Sequence, residues 1–99
     1  MKLAIVGTGL IVSLVSKHLS SWGWPVEAVC GTPDTLDQVN SVADALGAPE
    51  RWGDFDEMLA KTQADAVYIA VPNYLHASFC LKALGADKHV IVEKPMGSN

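Results

Sequence analysis

Met1-Lys2-Leu3-Ala4-Ile5-Val6-Gly7-Thr8-Gly9-Leu10-Ile11-Val12 opens the chain. Four apolar residues, Leu3 to Val6, stop abruptly at a glycine. A short unbroken apolar run of this kind reads as a strand buried on both faces. Gly7 lets the chain leave that strand in a conformation that a side chain would forbid. Gly9 lets backbone come close to a bound group. A helix starting at this point aims its free N–H groups and the positive end of its dipole at whatever sits there, which suits a phosphate. Strand, glycine turn and helix stand in the order such a site requires. Val12 occupies the third position, where glycine would allow close packing of helix on strand. A β-branched residue there costs packing and leaves phosphate approach to the first two glycines. The same two glycines would also serve a plain tight turn.

The rest of the chain alternates. Ile11, Leu14, Val15, His18 and Leu19 recur at helical spacing until Gly23 and Pro25 interrupt them. Val26 to Cys30 reads as a second strand. Asp34 or Thr35 is placed to cap a helix carrying Leu36, Val39, Val42, Ala43 and Leu46, which Gly47 and Pro49 end. A short edge strand is expected around Arg51 and Trp52. Asp54 is placed to cap a brief helix with Phe55, Met58 and Leu59 on its inner side. Ala66 to Val71 reads as a strand halted by Pro72. A helix from Asn73 runs through Leu75, Phe79, Ala83 and Leu84 to Gly85, and His89 to Glu93 forms the last strand. Such alternation predicts an α/β fold of one domain over residues 1–99: a doubly wound, Rossmann-type parallel sheet of strand order 3-2-1-4-5 between two helical layers. Ligands of such sheets bind beyond the carboxyl ends of the strands, where the winding reverses.

Composition excludes several classes. With 99 residues, nearly half of them apolar, the chain can build a core. Its formal charge of −4 and scattered basic residues argue against a nucleic-acid surface. No apolar stretch is long enough to span a bilayer, and nothing resembles a secretory signal. Cys30 and Cys80 match no metal spacing and read as buried, reduced thiols. No metal is expected, and a cytoplasmic location is. No serine sits in a nucleophile elbow. The end of the second strand reads Cys30-Gly31-Thr32-Pro33-Asp34. A binder of NAD usually places an acidic residue there for the ribose hydroxyls, and Gly31 stands in its place. Asp34 is near, but helix capping is the job its position suggests. No Arg or Lys stands by to take a 2′-phosphate. The choice between NAD and NADP stays open, with a lean to NAD.

Two further stretches are Ala70-Val71-Pro72-Asn73-Tyr74-Leu75-His76 and His89-Val90-Ile91-Val92-Glu93-Lys94-Pro95. Together with the glycine turn they resemble the N-terminal domain of the Gfo/Idh/MocA oxidoreductases, along essentially the whole chain. The resemblance implies a nicotinamide cofactor lying along Gly7, Thr8, Gly9, Leu10 and Ile11 at its diphosphate. It implies Gly31 and Thr32 at the adenosine ribose. Val71, Pro72, Asn73 and His76 would line the path to the nicotinamide, with Glu93 and Lys94 beside it. Lys94 would be the catalytic residue, assisting at the oxygen of a sugar or polyol. In that family a larger second domain follows and supplies much of the substrate site, so the chain is expected to be part of a longer protein. A surface made to meet that domain would favour self-association, and a homo-oligomer is expected. The other function class that fits is a nucleotide-sensing or interaction domain that keeps the fold without the reaction.

Overall fold

The computed structural model describes residues 2–7, 23, 25–70 and 73–92, with backbone alone at 73–76 and 92. Five strands are present: β1 (Leu3–Val6), β2 (Val26–Cys30), β3 (Glu50–Trp52), β4 (Ala66–Ile69) and β5 (His89–Val92). They form one sheet of order β3-β2-β1-β4-β5, all pairs parallel. Three helices are described: α1 (Leu36–Leu46), α2 (Phe55–Lys61) and α3 (Asn73–Gly85).

Side chains alternate across the sheet. Ala4, Val6, Ala28, Cys30, Val67 and Ile69 pack on one face with Phe55 and Met58 of α2 and Ala83 of α3. Phe55 and Phe79 stack there, their ring centroids 4.4 Å apart, and so tie α2 to α3. On the other face Val29 packs with Val39 and Ala43 of α1, and Leu3, Ile5 and Tyr68 form the adjoining cluster. Burial on both faces is why β1 and β4 are apolar throughout rather than alternating. The alanines matter as much as the large residues, because small side chains on the sheet let the helices approach closely.

The local signals act as their chemistry predicts. Asp54 caps α2 by accepting the Glu57 amide at 3.1 Å. Gly47 ends α1 in the left-handed conformation, its amide donating to the Ala43 carbonyl. Other expectations need correction. β4 ends at Ile69, so Ala70 lies past the strand, and Val71 falls outside the described residues. Leu84 stands 57% exposed on α3, because the sheet takes Ala83 and Phe79 instead. Leu36 is 42% exposed at the first turn of α1. Cys30 is buried, but Cys80 is only half-buried. The expected helix over 11–19 and the last residue of the expected fifth strand, Glu93, lie outside the described residues.

Candidate functional site

The register brings the strand ends level. Val6 pairs with Cys30 on one side and Ile69 on the other; Cys30 pairs with Trp52, and Ile69 with Val92. Trp52, Cys30, Val6, Ile69 and Val92 therefore form one row across the carboxyl edge. The residues that leave it are small: Gly53, Gly31, Gly7 and Ala70. Backbone bonds carry the ladder one step further. The Gly7 amide donates to the Cys30 carbonyl, the Ala70 amide to the Val6 carbonyl and the Gly31 amide to the Trp52 carbonyl, each at 2.9 Å.

Gly7 is the centre of this edge. Its φ of +122° is a conformation that L side chains rarely adopt. A Cβ built there would lie 2.6 Å from the Ala70 carbonyl oxygen. Only glycine lets β1 turn out while the chain leaving β4 passes this close. Between β1 and β4 the winding of the sheet reverses: the chain works outward through β2 and β3, then returns to β4 on the opposite side of β1. Crossovers diverge at such a point and leave a crevice beyond the strand ends. Gly7 stands at that point, at the end of β1.

One strand over, Gly31 opens a compact turn. Thr32 and Thr35 hold it reciprocally. The Thr32 amide donates to Thr35 Oγ1 at 2.9 Å, the Thr35 amide donates to the Thr32 carbonyl at 3.0 Å, and the two hydroxyls lie 3.1 Å apart. Pro33–Thr35 is a single 3-10 turn leading into α1. Thr35 stands at the N-cap position of α1, yet its side chain turns back to Thr32 and does not cap. Asp34 is not the cap either. Its carboxyl is held below the usual aspartate range, first by the Thr32 hydroxyl and then by its own backbone, while remaining fully exposed. The turn leans on Gly53, where a Cβ would come 3.1 Å from Leu36 Cδ2. Cys30, beneath this turn, is neutral at physiological pH: burial, helped by the Asp54 charge, pushes its thiol up to about 12.

Of the residues expected at the site, Gly7, Gly31 and Thr32 lie together along this edge. Asn73 and His76 lie in the first turn of α3, after β4, as backbone positions. Thr8, Gly9, Leu10, Ile11, Val71, Pro72, Glu93 and Lys94 lie outside the described residues. Ala70 and Gly53 are additions that sequence reasoning missed. Gly53 follows the edge strand and could have been suspected on that ground; nothing local marks Ala70. Among the described residues no three His, Cys, Asp or Glu side chains come together to hold a metal ion, and no helix is long and apolar enough to cross a membrane.

The profile of an oxidoreductase family with an NAD-binding Rossmann fold, Gfo/Idh/MocA, matches residues 1–99. The chain belongs to the Gfo/Idh/MocA family. Among curated members it is 42% identical over 97 residues to a D-xylose 1-dehydrogenase (NADP(+)) of Haloferax volcanii and 35% identical over 98 residues to an uncharacterized oxidoreductase of Rhizobium meliloti. Each match covers 97% of this chain and 29% of the relative, so the chain spans under a third of their length. A crystal structure of scyllo-inositol dehydrogenase from Lactobacillus casei, with bound NAD(H) and scyllo-inositol, superposes with a TM-score of 0.83 at 29% identity, over all of this chain and 29% of that one. As a Gfo/Idh/MocA member the chain carries the family's NAD-binding Rossmann domain, and the expected strand order is the observed one.

Proposed function

We propose that this chain is the cofactor-holding part of a longer dehydrogenase that oxidises a secondary alcohol of a sugar or polyol. The observation that carries the reading is Gly7 at the point where the winding reverses, its φ positive and its Cα too close to the Ala70 carbonyl for any side chain. The names of the xylose and inositol relatives support the substrate class. When bound, the nicotinamide supplies the hydride acceptor. It would take the hydride from the alcohol carbon as the hydroxyl loses its proton and the carbon becomes a carbonyl. Gly7, Thr8, Gly9, Leu10 and Ile11 hold the diphosphate, and Gly31 and Thr32 flank the adenosine ribose. Val71, Pro72, Asn73 and His76 line the way to the reacting ring, with Glu93 beside it. Lys94 stands at the substrate oxygen, where a cation stabilises the developing alkoxide and its amine relays the proton. The buried, unpaired Cys30 is consistent with a reducing, cytoplasmic setting. Leu81 and Leu84, exposed on α3, are consistent with a homo-oligomer in which such surface is covered.

The test has two arms. Titrating the purified chain with NADH and NADPH, read by quenching of tryptophan fluorescence, should give saturable binding of at least one. Failure to bind either removes the cofactor reading. In the full-length enzyme Lys94→Met should lower kcat by roughly a hundredfold or more while leaving cofactor affinity within a few-fold. Unchanged turnover would leave a cofactor domain whose chemistry is done by other residues.

A further inference from the structure

The adenosine end of the crevice is built on the shortest strand of the sheet. β3 has three residues and pairs, among the described strands, with β2 alone. A strand so short holds few ladder bonds and frays readily. We propose that Glu50 is a positioning residue for the dinucleotide, pinning β3 through Trp52 so that the Gly31 turn keeps the shape the adenosine half meets. The inference rests on the cofactor reading above and adds to it a residue that acts without touching the cofactor.

β3 carries the turn in two places. The Gly31 amide donates to the Trp52 carbonyl at 2.9 Å. The next residue, Gly53, lies against the turn: a Cβ there would come 3.1 Å from Leu36 Cδ2 and 3.5 Å from Pro33 Cα. Gly31 continues from Cys30, whose carbonyl takes the Gly7 amide at 2.9 Å. Trp52 and Gly7 are therefore joined through two adjacent residues at the end of β2.

The pin is the Glu50 carboxylate. Glu50 and Trp52 are two residues apart on one strand and so lie on one face of the sheet. Glu50 Oε1 accepts the Trp52 indole N–H at 2.9 Å, and Glu50 Oε2 accepts the Gln63 amide at 3.0 Å, in the chain between α2 and β4. One side chain thereby ties the end of β3 to the segment that leads into β4. On the other face Arg51 reaches Asp44 and Asn40 of α1, but those contacts are exposed, where ion pairs hold little. The Glu50–Trp52 bond is partly buried, and a bond to a charged acceptor is roughly twice as strong as a neutral one.

Glu50 itself stands back from the crevice. It pairs with Ala28, two residues before Cys30 at the carboxyl edge, roughly 7 Å short of it. Its effect on the cofactor is one of shape. Without the pin the turn spends less time in the arrangement that binds, and apparent affinity falls by that fraction. Such a loss falls alike on NAD and NADP, because it is delivered through backbone and not through a contact with the 2′ position.

The experiment is calorimetric titration with NADH and NADPH of the parent chain, Glu50→Ala, Trp52→Phe and the double variant. Thermal melts accompany it to show that each is folded at the titration temperature. Trp52→Phe keeps an aromatic ring and removes the indole N–H. Gly47→Ala is the control: it lies at the far end of α1, roughly 16 Å along the helix from the turn, and should cost stability comparable to that of Glu50→Ala. Glu50→Ala and Trp52→Phe should each weaken every cofactor that the parent binds by about five- to tenfold, with one factor for both cofactors. The double variant should lose no more than about twofold beyond either single one, as residues acting as one unit do. Gly47→Ala should stay within about twofold of the parent. Affinity that Glu50→Ala leaves unchanged, or lowers no more than Gly47→Ala does, overturns the inference alone. So does a loss in Trp52→Phe that Glu50→Ala does not share. Binding of neither cofactor by the parent overturns it together with the dinucleotide reading.

Discussion

Gly7→Ala is the substitution that asks most of this structure. Two costs meet at one atom. The backbone must hold a φ of +122° with a side chain attached, which costs roughly 1–3 kcal/mol. The new methyl must also sit 2.6 Å from the Ala70 oxygen and 3.1 Å from the Ala70 carbonyl carbon. That contact is with backbone, so it cannot be relieved by a rotamer change; β1 or the chain leaving β4 must shift. Forcing a methyl into packed surroundings costs roughly 1–3 kcal/mol more. Together they come to about 2–6 kcal/mol, centred near 4, a large part of the 5–15 kcal/mol that typically holds a domain together. Gly47→Ala separates the two costs. Gly47 also has a positive φ, +71°, but a Cβ there meets nothing within 4 Å. It should lose only about 1 kcal/mol. Urea unfolding followed by tryptophan fluorescence measures both variants, provided the slope m is unchanged. In a thermal melt the Gly7 variant should fall on the order of 15–20 °C, against about 5 °C for Gly47→Ala. Equal losses in the two variants would show that the Ala70 carbonyl yields freely, and the close approach at the crevice would no longer define the site.

Two other outcomes follow from side chains that the sheet and its loops hold. Glu50 accepts the Trp52 indole N–H at 2.9 Å and the Gln63 amide at 3.0 Å, fastening β3 to the chain between α2 and β4. Burial works against its charge there, but hydrogen bonds led by the Thr62 hydroxyl outweigh it and hold its pKa below the usual glutamate range. Stability from a lowered pKa is fully present above the unfolded value of about 4.3 and is lost as pH falls through the folded one. Glu50→Ala should therefore cost about 1 kcal/mol at pH 7, with the gap in urea midpoints between parent and variant narrowing as pH falls below about 4.3; a gap that does not narrow on acidification would place the effect elsewhere. Cys30, its thiol pushed up to about 12 by burial and then by the Asp54 charge, should resist a thiol-disulfide reagent at pH 8 in the native chain. Half-buried Cys80 should react first, with the Cys30 thiol titrating only on unfolding; two fast native thiols would refute that ordering.

Much of this protein was legible from local patterns. LAIV and AVYI are apolar through every position, and such strands form only where both faces are covered, so a parallel sheet followed directly. Asp54 before Phe55 and Gly47 after Leu46 marked helix ends because capping is satisfied within one turn of chain. Gly7 announced a turn for the same reason. At Asp34 the local pattern misled. Asp34 and Thr35 both stand where a helix cap is expected, and a sequence cannot say which of them wins; in the folded turn neither side chain caps α1, the Thr35 hydroxyl accepting the Thr32 amide instead and the aspartate standing exposed.

From sequence alone came the alternation of strands and helices, the strand order by the handedness of crossovers, and the identity of the glycine turn, all set by interactions within a few residues or by a general rule of chain winding. The tertiary structure decided what depends on distant segments meeting. It brought Ala70 against Gly7 across 63 positions, turned Leu84 outward because Ala83 fits the sheet, and made the small residues after β1, β2, β3 and β4 into one edge. Backbone sterics and register create those contacts, and neither is written in any single stretch of the chain.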